Sequence, residues 1–143
     1  MAAEWSLFMN IFAYGTLIIP EVMRRVTDGQ FRCQEAFLRG YARFRVRRQS
    51  YPAIIPFPDK ETDGVVYFDV DDASVQRLDA FEGTLYMRTE VNVETETREW
   101  VEAETYVMRW AERKRLTAEP WDELEFRDQH LAQFLSTYRG FGG

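Results

Sequence analysis

Residues 33–48 read CQEAFLRGYARFRVRR, and from Arg39 onward the chain alternates. Arg39, Tyr41, Arg43, Arg45 and Arg47 hold the odd positions; Gly40, Ala42, Phe44 and Val46 hold the even ones. A period of two sends successive side chains to opposite faces of an extended chain, so this stretch predicts a strand with one wet face. Upstream, MNIFAY (9–14) is a short apolar run ended by Gly15, as in a buried strand. Pro20 suits the first turn of a helix over EVMRRVTDG, which Gly29 is expected to stop. Downstream, YPAIIPFP (51–58) is extended and broken by prolines, and GVVYFDV (64–70) predicts another strand after a Thr62-Asp63-Gly64 turn. Asp71 or Asp72 can cap the helix DASVQRLDAFE, with Gly83 ending it in the left-handed conformation. YMRTEVNVE (86–94) and WVEAETYVM (100–108) alternate again and predict a hairpin through Thr95–Glu99.

The C-terminal part, residues 120–143, reads as a helix with Leu124, Leu131 and Leu135 on its apolar side, followed by a glycine-rich tail expected to fray. Strands outnumber helices and follow one another like hairpins, with one helix inserted among them. That favours an α+β fold with a strongly curved or closed sheet over a doubly wound one.

The 143 residues point to a single domain, 1–143, with 45% hydrophobic and 15% aromatic residues to build its core. Met9 is a plausible native start, which makes residues 1–8 an N-terminal extension. The formal net charge of −6 argues against a polyanion partner. Cys33 and His130 are the sole residues of their types, so an intrachain disulfide is impossible and a Cys/His zinc site is excluded. The apolar stretch 5–20 lacks a preceding cation, is interrupted at Asn10 and Tyr14-Gly15, and is too short to span a membrane. A cytoplasmic protein without cofactor or metal is the expectation; oligomeric state is not legible.

The arginine stripe at 39–48 reads as a solvated strand face, balanced across the sheet by Glu94, Glu96, Glu99, Glu102 and Glu104, rather than as a nucleic-acid surface. Those glutamates lack the convergence a hard cation needs. His130 reads as a surface-helix residue and Cys33 as an ordinary thiol. Two places remain. In AYGTL (13–17) a buried strand breaks at Gly15, where close backbone approach or positive φ can turn successive amides toward an anion. In LDAFEGTLYMR (78–88), Glu82 sits at a helix C-terminus, whose partial negative charge disfavours a carboxylate by ~0.3–1 kcal/mol. Val75, Leu78 and Glu82 are spaced i, i+3, i+7 and share the packed face. Glu82 is therefore either a working carboxylate with a raised pKa, or a structural one paired with Arg88 or turned to solvent.

YGTL after the first strand, YPAI in the middle, and LDAFEG followed by Tyr86 and Arg88 together resemble the γ-glutamylcyclotransferase superfamily, in its short AIG2-like branch. The ordered set covers about residues 10–110. The resemblance implies a small mixed or antiparallel β-barrel flanked by helices, with the pocket at one barrel end. It implies that Tyr14, Gly15, Thr16 and Leu17 hold a γ-glutamyl moiety, that Glu82 is the catalytic acid/base, and that Tyr86 and Tyr51 line the pocket. Arg88 would orient a carboxylate or be structural. The implied reaction cyclises a γ-glutamyl amine or amide to 5-oxoproline and frees the amine. The nucleophile is the substrate's own α-amine, so neither protein nucleophile nor cofactor is called for. The competing expectation is a non-catalytic module of the same fold that binds a γ-glutamyl or carboxylate ligand.

Overall fold

The computed structural model describes residues 8–137. Its strands are β1 (Phe8–Ala13), β2 (Cys33–Arg45), β3 (Pro52–Asp71), β4 (Tyr86–Thr95) and β5 (Trp100–Met108). Its helices are α1 (Pro20–Thr27), α2 (Asp72–Glu82), α3 (Glu123–Gln129) and α4 (Leu131–Thr137). The strands close into a barrel in the order β1-β3-β2-β4-β5. All neighbours are antiparallel except at the closure, where β1 runs parallel to β5 with Ile11 opposite Glu104. The expected α+β barrel is therefore observed. Residues 1–7 of the expected extension lie outside the described residues, and Phe8 already pairs with Asp71 in β1.

β1 is apolar and buried from Ile11 to Ala13, where both its faces are covered. Phe12 and the following Tyr14 point into the barrel with Ala36, Leu38, Ile54 and Val66. Ile11 and Ala13 face the other way, onto a second core that α1 and α2 complete with Val22, Met23, Val75 and Leu78. β2 keeps its alternation: Ala36, Leu38 and Ala42 are buried while Arg39 is exposed. Its arginines are matched rather than merely solvated. Arg39 reaches Glu94 at 3.0 Å, and Arg43 reaches Asp63 at 2.8 Å.

Three expectations need correction. The Thr62-Asp63-Gly64 turn does not exist, because those residues pair with Leu38, Phe37 and Ala36 inside one continuous β3. The irregularity lies earlier, where the ladder steps from Arg39–Glu61 to Tyr41–Pro56 and Asp59 takes φ 69°. The prolines at 56 and 58 cannot donate to a ladder, which is why the slip falls there. At the end of α1 the chain turns at Asp28 (φ 61°, ψ 22°), one residue before Gly29, and Arg77 donates to the Thr27 carbonyl at 2.7 Å.

The C-terminal helix is broken in two at His130 (φ −129°). Asp122 caps α3 and phases it so that Phe126 faces the barrel and Leu124 is left 69% exposed. Phe126 packs beside Trp121, whose indole donates to the Ser50 carbonyl at 2.7 Å. Leu131 and Leu135 do lie against the core, joined by Phe134. The glycine-rich tail lies outside the described residues. Among the described residues no helix is long and apolar enough to cross a membrane.

Candidate active site

Where β1 ends, the chain makes a single turn of tight helix over Thr16–Ile18, closed by the Ile18 amide donating to the Gly15 carbonyl at 3.0 Å. Gly15 has φ −131°, so positive φ is not what requires glycine. A Cβ there would lie 2.8 Å from Cγ of Pro52, and close approach to β3 is the reason. Two side chains fix the turn from outside. Tyr67 donates its hydroxyl to the Leu17 carbonyl at 2.6 Å, and Arg43 donates to the Tyr14 carbonyl at 2.8 Å. Among the described residues, the amides of Gly15, Thr16 and Leu17 have no acceptor.

α2 starts where Asp71 accepts from the Ser74 amide at 3.2 Å and from its hydroxyl at 2.7 Å. It buries Ser74, Val75 and Leu78 and ends at Glu82. Gly83 follows at φ 72°, ψ −159°. That is a glycine region distinct from the expected left-handed helical one, and it swings the chain into Thr84 and Leu85 before β4 begins.

A cavity of about 190 Å³ lies between these two segments. Tyr14, Gly15, Thr16 and Leu17 form one wall, with Glu82 and Tyr86 among the residues lining the rest. Tyr51 lines it as well, so the residues named from the resemblance come together at one place; Arg88 is not among them. Sequence reasoning missed the other lining residues. Phe81 falls outside the Val75–Leu78–Glu82 stripe of α2, and Phe134 lies in the C-terminal segment, which carries no motif; their rings meet edge to face at 6.0 Å. Pro52, inside the YPAI motif, also contributes, as does Tyr106, which has no local signal beyond strand alternation.

The expected alternative pairing of Glu82 with Arg88 is not made. Arg88 turns away from it, with Nε 3.0 Å from Asp79 and Nη1 2.9 Å from Glu104. Tyr106 donates its hydroxyl to Asp79 at 2.7 Å. No hydrogen bond joins the Glu82 carboxyl group to another described residue. Burial and, second, the negative charge of Asp79 push its pKa from 4.5 up to about 8. Tyr14 donates its hydroxyl to the Tyr106 carbonyl, and Tyr86 donates to the Pro52 carbonyl at 2.7 Å. Burial raises both phenols well above their ordinary value, with Glu82 adding, so they stay protonated and serve as walls. One proton-exchanging carboxyl group thus faces a turn with open amides across a largely apolar cavity. Among the described residues no group of three or more His, Cys, Asp or Glu is placed to hold a metal ion.

Residues 11–123 match the family described as Gamma-glutamyl cyclotransferase, AIG2-like. Protein AIG2 C of Arabidopsis thaliana is 33% identical over 131 residues, which cover 91% of this chain and 79% of the relative. AIG2-like protein C of the same organism is 34% identical over 137 residues, covering 92% and 77%. The solution structure of At5g39720.1 from Arabidopsis thaliana superposes with a TM-score of 0.72 at 29% identity, covering 92% of this chain and 89% of that one. A structure called Gamma-glutamyl cyclotransferase superposes at 0.67 with 18% identity, covering 93% and 89%; at that identity the likeness is one of fold.

Proposed function

The chain belongs to the AIG2-like γ-glutamylcyclotransferase family, and we propose that it cyclises a γ-glutamyl amide to 5-oxoproline and releases the free amine. The observation that carries this reading is Glu82: an unpaired carboxyl group in a cavity wall, with a pKa of about 8, facing the Gly15–Leu17 turn.

The α-ammonium group of the substrate gives a proton to the Glu82 carboxylate. The freed α-amine attacks the γ-carbonyl, forming the lactam C–N bond and placing negative charge on oxygen. When the C–O double bond re-forms, the original amide C–N bond breaks, and Glu82 returns its proton to the departing nitrogen. The positively charged ring nitrogen then gives its surplus proton to the freed Glu82 carboxylate, which passes it to the released amine, leaving neutral 5-oxoproline and an ammonium ion. Proton, electrons and atoms balance with one carboxyl group. A pKa near neutrality suits a group that must both accept and donate, typically for ~10²–10⁴-fold in rate. Holding the flexible γ-glutamyl chain folded supplies the rest, since well-aligned intramolecular attack reaches effective molarities of ~10⁵–10⁸ M. The open amides of Gly15, Thr16 and Leu17 suit the substrate α-carboxylate or the developing oxyanion.

The test is release of 5-oxoproline from a panel of γ-glutamyl amides by the wild type beside Glu82→Gln. Release by the wild type and its loss in the variant establish reaction and residue together. Release that survives at full rate in Glu82→Gln removes Glu82 from the mechanism. Ligand-induced thermal stabilisation without release would make the protein a binding module of the same fold.

A further inference from the structure

Among the described residues that line the Glu82 cavity there is no Arg, Lys or His. A second carboxylate placed beside the scissile amide, as in a γ-glutamyl α-amino acid, would meet the negative charge of Glu82 with no counter-ion. Tyr51 and Phe134 form the edge that this cavity shares with its neighbour. Both also line a wider neighbouring groove of about 520 Å³, whose walls include Arg45, Arg48 and His130. Arg48 is exposed and has no ion-pair partner among the described residues. Arg45 donates its Nε to the Gln49 carbonyl at 3.2 Å and has only long ion pairs, 3.9 Å from Glu119 and 3.8 Å from Glu125. Going outward from Glu82, then, the path is first apolar and aromatic, then basic. Phe134 and His130 lie past residue 123, beyond the segment matched by the family model.

From this order of surfaces we infer that the amine half of the substrate is aromatic and bears an acid group remote from its nitrogen, with the ring lying between Tyr51 and Phe134 and the acid at Arg48 and Arg45. The inference rests on the proposed γ-glutamyl chemistry for its inner half. The aromatic walls favour a flat apolar spacer, which loses little conformational freedom on binding. The basic groove favours an anion at its far end and disfavours an additional ammonium group there.

Four γ-glutamyl amides distinguish the possibilities: those of para-(aminomethyl)benzoic acid, of benzylamine, of alanine, and of lysine linked through its side-chain nitrogen. For the wild type, kcat/KM for 5-oxoproline release is expected to be highest for the carboxybenzyl amide, about tenfold above the benzylamide. Arg48→Glu is expected to reverse the ranking of those two, and Phe134→Ala to lower both relative to the alanine amide. Equal rates for the two benzyl compounds, a preference for the alanine or lysine compound, or an unchanged ranking in Arg48→Glu would overturn the inference while leaving the reaction intact. If none of the four is cyclised, calorimetric binding to Glu82→Gln decides separately. Tighter binding of the carboxybenzyl amide, lost on adding Arg48→Glu, upholds the selectivity although the chemistry has failed; equal or absent binding overturns it.

Discussion

Asp79 and Glu82 stand one turn apart on α2, and Asp79 has taken the partners. Arg88 lies 3.0 Å from Asp79 and Tyr106 donates to it at 2.7 Å, while Glu82 is left to the cavity. The division sets two roles. Asp79 ties α2 to β4 and β5, and its charge adds to burial in raising the pKa of Glu82.

Glu82→Gln is expected to lower the rate of 5-oxoproline release by ~10²–10⁴-fold with the fold intact. Its effect on stability depends on pH. Between pH 4.5 and about 8 the folded protein holds a proton on Glu82 that the unfolded chain has released, so wild-type stability falls as pH rises through that window. The glutamine variant lacks this loss. Urea unfolding of both proteins is expected to show the variant gaining on the wild type as pH rises, by on the order of a few kcal/mol at pH 8, and a constant difference across pH would contradict it.

Catalysis in the proposed scheme needs the carboxylate at the outset, so activity should rise with pH. A rising limb in kcat/KM is expected near pH 8, the value for the free enzyme. The limb in kcat is expected at lower pH, because the bound α-ammonium group favours the charged form of Glu82. Initial-rate profiles from pH 5 to 10 read both limbs.

Asp79→Asn removes the neighbouring negative charge, and the limb in kcat/KM is expected to move to lower pH. The amide oxygen can still accept from Tyr106, but the half-buried Arg88 loses one of its two carboxylates. A stability loss of about 1–3 kcal/mol is expected with it, measured by thermal or urea unfolding alongside the pH profile.

Arg43 was read as part of a solvated stripe, yet its side chain is only 18% exposed and it donates to the Tyr14 carbonyl at 2.8 Å, at the entrance to the Gly15 turn. In the proposed scheme it acts as a positioning residue for the turn. Arg43→Ala is expected to raise KM for a γ-glutamyl amide more than it lowers kcat, with a stability cost of about 1–3 kcal/mol. A drop in stability with KM unchanged would make the contact merely structural.

Phe126 is 1% exposed and carries α3 and α4 onto the barrel, which brings Phe134 to the cavity. Phe126→Ala is expected to cost about 3–5 kcal/mol. In the folded fraction, amides with apolar amines are expected to lose more of their kcat/KM than amides with small ones, as a substrate series would show.

The sequence by itself determined most of the strands, the inserted helix, the barrel class and the two segments that meet at the candidate site. Those features rest on local rules: two-residue alternation in β2, β4 and β5, the Asp71 cap, and a carboxylate where a helix dipole disfavours one. Ordered motifs then joined the Tyr14–Leu17 turn to Glu82. Tertiary structure decided what depends on contacts between distant residues. Whether Glu82 pairs with Arg88 turned on Asp79 and Glu104 reaching that guanidinium first. Whether Thr62–Gly64 turns was decided by β2 offering an unbroken partner. Phe134 became a cavity wall against Phe81 because Asp122 and Phe126 set the phase of α3 and His130 redirects the chain. Hydrophobic periodicity shows which face of an element is buried, but not what that face is buried against, because the partner is supplied by a segment far away in the chain.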